Sequence, residues 1–334
     1  MPATTEQTAL RQMIDGYRIS KILCVAAELG LADQLASGPK HCEELARATG
    51  ANAPALYRLL RALAGVGVFA QVGEQRFELT PRGHLLRKEV PGSLHAWAIF
   101  SRRMYRNWVE LDHSIATGET AFDHLHGMDA WSYRAQHQDE ARVFNDAMSA
   151  LVAFIGQAVV SAYDFSRFGT VVDVGGGQGA LLVRILQANP GVRGILFDVP
   201  AGIREAHVRL EAAGLTARCD LVQGSFFDSV PGEGDAYILS RVLHDWNDDQ
   251  VAMILKTLRR CMKAGKTLLI VERALDEGNA APEALLSDLN MMVHNGGRER
   301  TNTEFDELLA AAAFQPQRRI LEPAPFQILE AVAV

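Results

Sequence analysis

Cysteine is scarce in this sequence. Cys24, Cys42, Cys219 and Cys261 are scattered, with no CxxC and no zinc-ligand spacing. That argues against a disulfide scaffold and leaves free, buried thiols in a reducing compartment as the expectation. Positive charge is also in short supply. Lysine and arginine number 33 against 40 acidic residues, a net charge of −7, which speaks against non-specific nucleic-acid binding and against an anionic membrane surface. No apolar run approaches the ~20 residues that a membrane span needs. The first residues, MPATTEQTALRQM, lack both the basic start and the apolar core of a secretion signal. A cytoplasmic protein with no nucleic-acid and no membrane partner is expected. Internal repeats and low-complexity segments are absent as well.

What is there reads as two domains, since 334 residues exceed one ordinary small domain. Residues 5–36 follow a helical pattern broken at Gly30. HCEELARATG reads as a short amphipathic helix ending at Gly50. ANAPALYRLLRALAGVGVF reads as a second, with Pro54 near its first turn and Gly65 and Gly67 past its end. FAQVGEQRFELT then alternates across a polar turn, as a β-hairpin does. Two helices and a hairpin make a winged-helix pattern. Its second helix is too apolar for a DNA groove, and Arg58 and Arg61 alone make no basic face, so burial against a partner subunit is expected instead. Residues 91–165 read as mostly helical, with WAIFSRRMYRNWVELDHSIA and ARVFNDAMSALVAFIGQAVVSAY as the long elements.

The pattern changes near residue 168. TVVDV, GILFDV, CDLVQG, DAYILSRVL and KTLLIVE read as strands with helical patterns between most of them. Such alternation predicts a parallel sheet with helices on both faces. QRRILE and PFQILEAVAV have only a short link and should pair as an antiparallel end, which makes seven strands.

VVDVGGGQGA places Gly175, Gly177 and Ala180 in a GxGxxA spacing between a strand and a helix. Both dinucleotide folds and S-adenosylmethionine folds use such a turn. Asp198, ending the next strand, stands where a carboxylate accepts from ribose hydroxyls, which both cofactors carry. Asp173, two residues before the first glycine, discriminates better. A pyrophosphate gains little from an adjacent carboxylate, whereas S-adenosylmethionine carries a sulfonium and an ammonium group and no phosphate. An acidic loop without Lys or Arg favours S-adenosylmethionine over a nicotinamide.

A second stretch, VLHDWNDDQ, is partly helix punctuation. Asn247 suits an N-cap, Asp248 and Asp249 the positive first turn, and Gln250 the reciprocal partner of the cap. His244, Asp245 and Trp246 are left over, at the end of a predicted strand. AFDHLHGMD, with His124, His126 and two aspartates, lacks a second cluster, so a polar loop is expected there and no metal site.

Taken in order, DVGGGQG, FDVP, GSFFDSVP, the strand ending in LHDW, LLIVE and NGGRERT resemble the plant-type small-molecule O-methyltransferases. That family includes caffeate and hydroxyindole O-methyltransferases and many bacterial natural-product enzymes, and the resemblance covers nearly the whole chain. It implies an α/β fold, with a doubly wound, seven-stranded Rossmann-like methyltransferase domain over 166–334. A winged-helix dimerisation domain over 1–95 and a helical connector over 96–165, contributing to the substrate pocket, would precede it. It implies S-adenosylmethionine as cofactor, a homodimer formed through the N-terminal domain, and a small planar aromatic acceptor.

Carried over residue by residue, the resemblance puts Asp173, Gly175, Gly177 and Gly179 beside the methionine moiety and Asp198 and Val199 at the ribose. Gly224, Ser225, Phe226 and Phe227 would flank the adenine, with Ser240 and Arg241 near it. His244 matches a general base, and Glu272 and Glu299 the carboxylates that orient it. Phe144, Met148, Met291 and Asn295 match acceptor-pocket positions. The sequence departs from the plant pattern at Ser225, usually acidic, at Ser240, usually lysine, and in lacking a proline after Asn295. These departures suggest a bacterial-type member.

The chemistry fits those residue types. Methyl transfer from a sulfonium needs an in-line nucleophile and removal of its proton. Asp173, Asp198, His244 and Glu272 all stand near carboxyl ends of predicted strands, where ligands bind in such sheets. Trp246 is read as packing and Asp245 as a second orienting group or plain turn chemistry. Three alternatives stand beside O-methylation: a heteroaromatic nitrogen acceptor, a non-methylating member of the same fold, and a winged-helix ligand-sensing regulator. A basic recognition helix would support the last, and none is visible.

Overall fold

Capping residues and left-handed glycines divide the first third of the chain as its sequence suggests. The structure, a computed structural model, describes residues 4–275, 282–320 and 326–334, without the side chains at 153 and 154. Two compact units divide between residues 105 and 106.

In the first unit, a Thr4–Gln7 capping box starts α1, Thr5–Glu28, and Gly30 (φ 61°) turns the chain into α2, Leu31–Gln34. Strand β1, Lys40–His41, leads into α3, Cys42–Thr49, which stops at Gly50, and Asn52 caps α4, Ala53–Gly65. The hairpin of β2, Phe69–Gly73, and β3, Arg76–Leu79, completes a small sheet of order β1-β3-β2. Two helices followed by a hairpin are thus found in the expected order. Leu45, Leu60, Leu63, Phe69 and Phe77 fill the core beneath them. By contrast, Leu10, Met13, Ile14, Tyr17 and Ile19 of α1 are exposed. Short α5, Pro81–His84, and the longer α6, His95–Trp108, follow.

The expected helix over 97–116 is broken. It ends at Trp108 and resumes as α7, Leu111–Thr117. Tertiary anchors account for the break: the amide of Asn107 bonds His294 at 2.9 Å, Trp108 Nε1 donates to Asn290 at 3.0 Å, and the chain turns between Asn107 O and Glu110 N. Then come α8, Ala121–His126, α9, Ala130–Gln136, and α10, Gln138–Ala162.

In the second unit a seven-stranded sheet has the order β11-β12-β8-β7-β4-β5-β6. Its parallel part is β4 (Thr170–Val174), β5 (Arg193–Asp198), β6 (Cys219–Gln223), β7 (Ala236–Ser240) and β8 (Thr267–Glu272). Between them run α11 (Ala180–Ala188), α12 (Pro200–Ile203), α13 (Ala206–Ala212) and α14 (Asp248–Cys261). A two-stranded parallel pair, β9 (Ala274–Leu275) with β10 (Arg300–Thr301), flanks α15 (Pro282–His294) and precedes α16 (Asn302–Ala311). Strands β11 (Phe314–Ile320) and β12 (Gln327–Ala333) close the edge antiparallel, as expected; the last two residues of QRRILE lie outside the described residues.

The central strands read as continuous apolar runs because both faces are covered. Val171, Ile238, Leu269 and Val271 face Val159 of α10 and Leu182 and Ile185 of α11. Their neighbours Val172, Leu239, Leu268 and Ile270 face Ile254 and Leu258 of α14 and Phe305 of α16. Alternate residues therefore build two cores on one sheet. Among the described residues no single helix is long and apolar enough to cross a membrane.

One strand ends earlier than its sequence suggests. The run DAYILSRVL leaves the sheet at Ser240, because Arg241 takes a left-handed conformation (φ 56°) and a 3₁₀ turn, Leu243–Asp245, follows. His244 therefore stands on that turn and not on the strand. The parallel strands still end along one edge, with Ser240 in register with Val271, one residue before Glu272.

Ile238, fully buried at the centre of the sheet, should be costly to truncate. Ile238→Ala is expected to destabilise the second unit by about 2–5 kcal/mol, the range for buried Leu or Ile truncation. Chemical denaturation checks this, and a loss under about 1 kcal/mol would contradict the packing described.

Candidate active site

The glycine loop begins where β4 stops. Gly175, Gly177 and Gly179 have φ of 71°, 55° and 76°, values that L side chains rarely adopt. Gly176 is required for a different reason: a Cβ there would lie 2.5 Å from the Asp173 carboxylate. Asp173 is thus folded under its own loop. It is buried, and its Oδ2 has no hydrogen-bond partner.

The Asp198 carboxylate at the end of β5 closes the other side of the loop. Gly177 N donates to its Oδ2 at 2.7 Å and Val199 N to its Oδ1 at 2.6 Å. Val199 itself is 43% exposed. Burial pushes Asp173 up to about 7, with the Asp198 charge adding to it. Burial likewise pushes Asp198 up to about 6, against the two N–H groups that favour its charged form. Two acidic groups lifted this far, with no cation beside them on the loop, suit a ligand that brings positive charge.

The turn carrying His244 lies next to that loop. A Cβ on Gly175 would sit 2.9 Å from Val242 and 3.5 Å from Phe226. Gly224 N is held by Asp198 O, and Ser225 Oγ accepts from Phe227 N at 3.2 Å. Phe226 and Phe227 both meet the Trp246 ring edge-on, at 5.8 Å and 4.8 Å between centroids. Trp246 is packing, as expected, and it joins the GSFF segment to the histidine turn.

His244 is buried and surrounded by acids. Its Nδ1 bonds Glu299 Oε1 at 3.1 Å and lies 3.7 Å from Glu272 Oε2. Its Nε2 lies 3.7 Å from Asp245 Oδ1. Glu272 Oε1 also accepts from Leu243 N at 2.9 Å and His244 N at 3.4 Å, so this carboxylate caps the turn as well as facing the ring. Ser287 Oγ donates to Glu299 Oε1 at 2.6 Å. Burial alone would lower the histidine, but Glu272, Asp245 and Glu299 together push it up to about 9. Against its own burial, Glu299 is held below the usual carboxylate range by the bonds from His244 and Ser287. Burial raises Glu272, and the Glu299 charge adds to it.

Among the described residues, His244, Glu272 and Glu299 are also the one trio whose donor atoms lie mutually within 4.8 Å. Nδ1, the ring nitrogen facing both glutamates, is taken by Glu299, so the trio serves as an ion-paired histidine. His124 stacks on His113 at 3.8 Å, and His126 packs on Phe122 and Tyr133.

Of the expected acceptor residues, Met148, Phe144 and Asn295 connect to this turn or its flanks, Phe144 through Trp131. Met148 Sδ is 3.4 Å from an Arg241 nitrogen. Phe144 meets Trp131 edge-on at 5.7 Å, and Trp131 stacks on Trp246 at 5.7 Å and 17°. Met291 is buried on α15. Asn295 Nδ2 donates to Asp245 Oδ1 at 2.5 Å, so Asp245 faces the histidine without a hydrogen bond to it and is bonded to an expected acceptor residue. Ser240 stands at the last residue of β7.

Two residues that hold this turn were not singled out from sequence. Arg300 is a fully buried cation whose guanidinium donates to Leu243 O at 2.9 Å, Trp246 O at 2.7 Å and Asp248 Oδ1 at 2.9 Å. It holds the carbonyls of the turn whose N–H groups Glu272 holds. Gly297 passes so close to that turn that a Cβ would lie 2.1 Å from His244 O. The NGGRERT motif contains both, but nothing in its spacing says what they touch.

Residues 108–315 match the O-methyltransferase domain family, and residues 11–89 the O-methyltransferase dimerisation domain family. A phenazine O-methyltransferase of Lysobacter antibioticus is 45% identical over 323 residues, 96% of this chain and 95% of that protein. A phenazine-1-carboxylate N-methyltransferase of Pseudomonas aeruginosa is 32% identical, covering 96% of each. Among solved structures, LaPhzM superposes with a TM-score of 0.96 at 44% identity, over 99% of this chain and 100% of that one. An O-methyltransferase from neocarzinostatin biosynthesis, in complex with S-adenosylmethionine and 2-hydroxy-5-methyl naphthoic acid, gives 0.82 at 33% identity, over 95% of this chain and 96% of that one.

The raised carboxyl groups bear on stability. Asp173 keeps its proton in the folded state up to about 7, against an ordinary 3.8. Between those values the folded form binds more protons than the unfolded chain, so stability falls as pH rises. Asp173→Asn should lose less stability than the parent between pH 5 and 7, read by urea unfolding of the ligand-free protein. Equal pH slopes would contradict the assignment.

Proposed function

The chain belongs to the O-methyltransferase family and uses S-adenosylmethionine, and from that premise we propose that it methylates a hydroxyl of a small planar aromatic metabolite with His244 as general base. The observation that carries this reading is the buried imidazole held through Nδ1 by Glu299, which leaves Nε2 for a proton. The donor set suits the cofactor: a buried carboxylate oxygen of Asp173 without a partner, a positively curled glycine loop, and Asp198 for ribose hydroxyls. When bound, the cofactor supplies a methyl group on a positively charged sulfur.

The remaining work is the chain's own. Phe144, Met148, Met291 and Asn295 position the acceptor ring, and His244 Nε2 takes the hydroxyl proton. Glu272, Asp245 and Glu299 stabilise the imidazolium that results. A phenol has a pKa of about 10, and proton transfer to an ordinary imidazole at about 6.5 would cost about 5 kcal/mol. With His244 pushed up to about 9, the same step costs about 1.4 kcal/mol. The carboxylates lower the cost of the transfer itself.

A nitrogen acceptor is the second reading, prompted by the Pseudomonas relative. A lone-pair nitrogen needs no base and only proximity. A buried histidine with three acids around it has no task in that reaction, which favours oxygen.

The exposed apolar face of α1, with Leu10, Met13, Ile14 and Tyr17, supports a homodimer through the first unit. Light scattering should give a dimer mass at micromolar concentration, with an interface above ~2,000 Å²; a monomer mass would contradict it.

The base assignment has its own test. His244→Ala should slow turnover by about 10²–10⁴ while leaving S-adenosylmethionine affinity nearly constant. In the parent enzyme kcat/KM should rise with pH up to about 9, because only the neutral imidazole accepts a proton. Glu272→Gln and Glu299→Gln should each move that rise to lower pH, since each removes a negative charge from the ring. Near-normal turnover in His244→Ala would overturn the base and favour the nitrogen acceptor.

A further inference from the structure

Arg134 on α9 is only 8% exposed, yet no described residue gives its charge a partner. Its guanidinium lies 3.9 Å from the Phe144 ring centroid and 4.9 Å from that of Trp131. The acidic groups whose fields reach it are Asp245, Glu140 and Asp129, and none of them is within ion-pair distance of it among the described residues. Its NH1 makes no hydrogen bond. Burying an unpaired guanidinium is costly. Two aromatic faces offset part of that cost and leave the buried NH1 without an acceptor.

A second buried donor stands nearby. His294, 1% exposed on α15, has Nδ1 bonded to the Asn107 amide at 2.9 Å, while its Nε2 has no partner. With Asn107 donating to Nδ1, the hydrogen of the neutral ring is on Nε2. Burial first, then the charges of Arg134 and His126, push this histidine down to about 3, so it is neutral and donates. The Arg134 charge reaches the His294 ring, and among the described residues neither Arg134 NH1 nor His294 Nε2 has an acceptor. Of the rings against Arg134, Phe144 is an expected acceptor residue, and Trp131 stacks on Trp246, two residues past His244.

We propose that Arg134, assisted by His294 Nε2–H, binds a carboxylate carried by the aromatic acceptor, so that the substrate is a hydroxylated aromatic acid. A planar guanidinium fork matches a carboxylate with two parallel hydrogen bonds. The acceptor is then held at two points, its acid group at Arg134 and its reacting hydroxyl at His244. This inference rests on the acceptor reading above.

The test uses full-length enzyme loaded with S-adenosylhomocysteine and matched probes: 1-hydroxy-2-naphthoate against 1-naphthol, and 4-hydroxybenzoate against phenol. Calorimetry should show at least one acid bound about tenfold or more tighter than its decarboxylated partner, as a charged hydrogen bond allows. Arg134→Met, which keeps length and ring contact, should bind both members of that pair alike. Arg134→Lys, which keeps charge without the fork, should fall between. No preference in the parent, no binding of any acid, or a preference that survives in Arg134→Met would overturn the anchor. If preferred acids bind but their hydroxyls are not methylated, the oxygen-acceptor reading falls and the anchor stands. If a naphthol is methylated as well as its acid, the anchor falls and the oxygen reading stands.

Discussion

The Glu272 carboxylate, buried at the end of β8, takes the N–H groups of Leu243 and His244 at 2.9 Å and 3.4 Å. Those groups leave water when the turn is buried, and an unpaired one would cost about 1–3 kcal/mol. Arg300 does the converse for the carbonyls of Leu243 and Trp246. The turn is therefore gripped on its donors by an acid and on its acceptors by a cation. Only in that grip can a histidine be buried against Glu299 without the chain around it opening. Its charge and the position of its free nitrogen both follow from the same contacts.

Much of the architecture was legible because it depends on local chemistry. The Asn247–Gln250 capping box, the left-handed Gly30 and Gly50, and the continuous apolar runs of β4, β7 and β8 each act within a few residues of themselves. Where reading failed, distant contacts decided. Helix 97–116 breaks because Asn107 and Trp108 are tied to α15, nearly two hundred residues on. The strand before His244 ends at Ser240 because Arg241 accepts a left-handed backbone that no propensity favours.

The same division runs through the site. Glycines and aspartates of the loop after β4 announce themselves by spacing, since the loop must curl over a buried carboxyl group. Arg300 and Arg134 do not. Each is a buried arginine inside an otherwise ordinary helical or loop pattern, and its meaning lies in what surrounds it: backbone carbonyls for one, and for the other aromatic rings with no acid at ion-pair distance among the described residues. A sequence gives the residue type without the neighbours, and for arginine the neighbours decide whether the charge is structural or waits for a ligand.

The contact between Gly297 and the carbonyl of His244 separates the parts of this enzyme that can change from those that cannot. Two backbone segments meet there with no room for even a methyl group, so the turn and the Asn295–Glu299 loop must move together or stay still. By contrast α9, α10 and α15 present side chains, which can be exchanged singly. Substitutions on those helix surfaces can reshape what surrounds the histidine, while the turn that carries it stays fixed by its backbone.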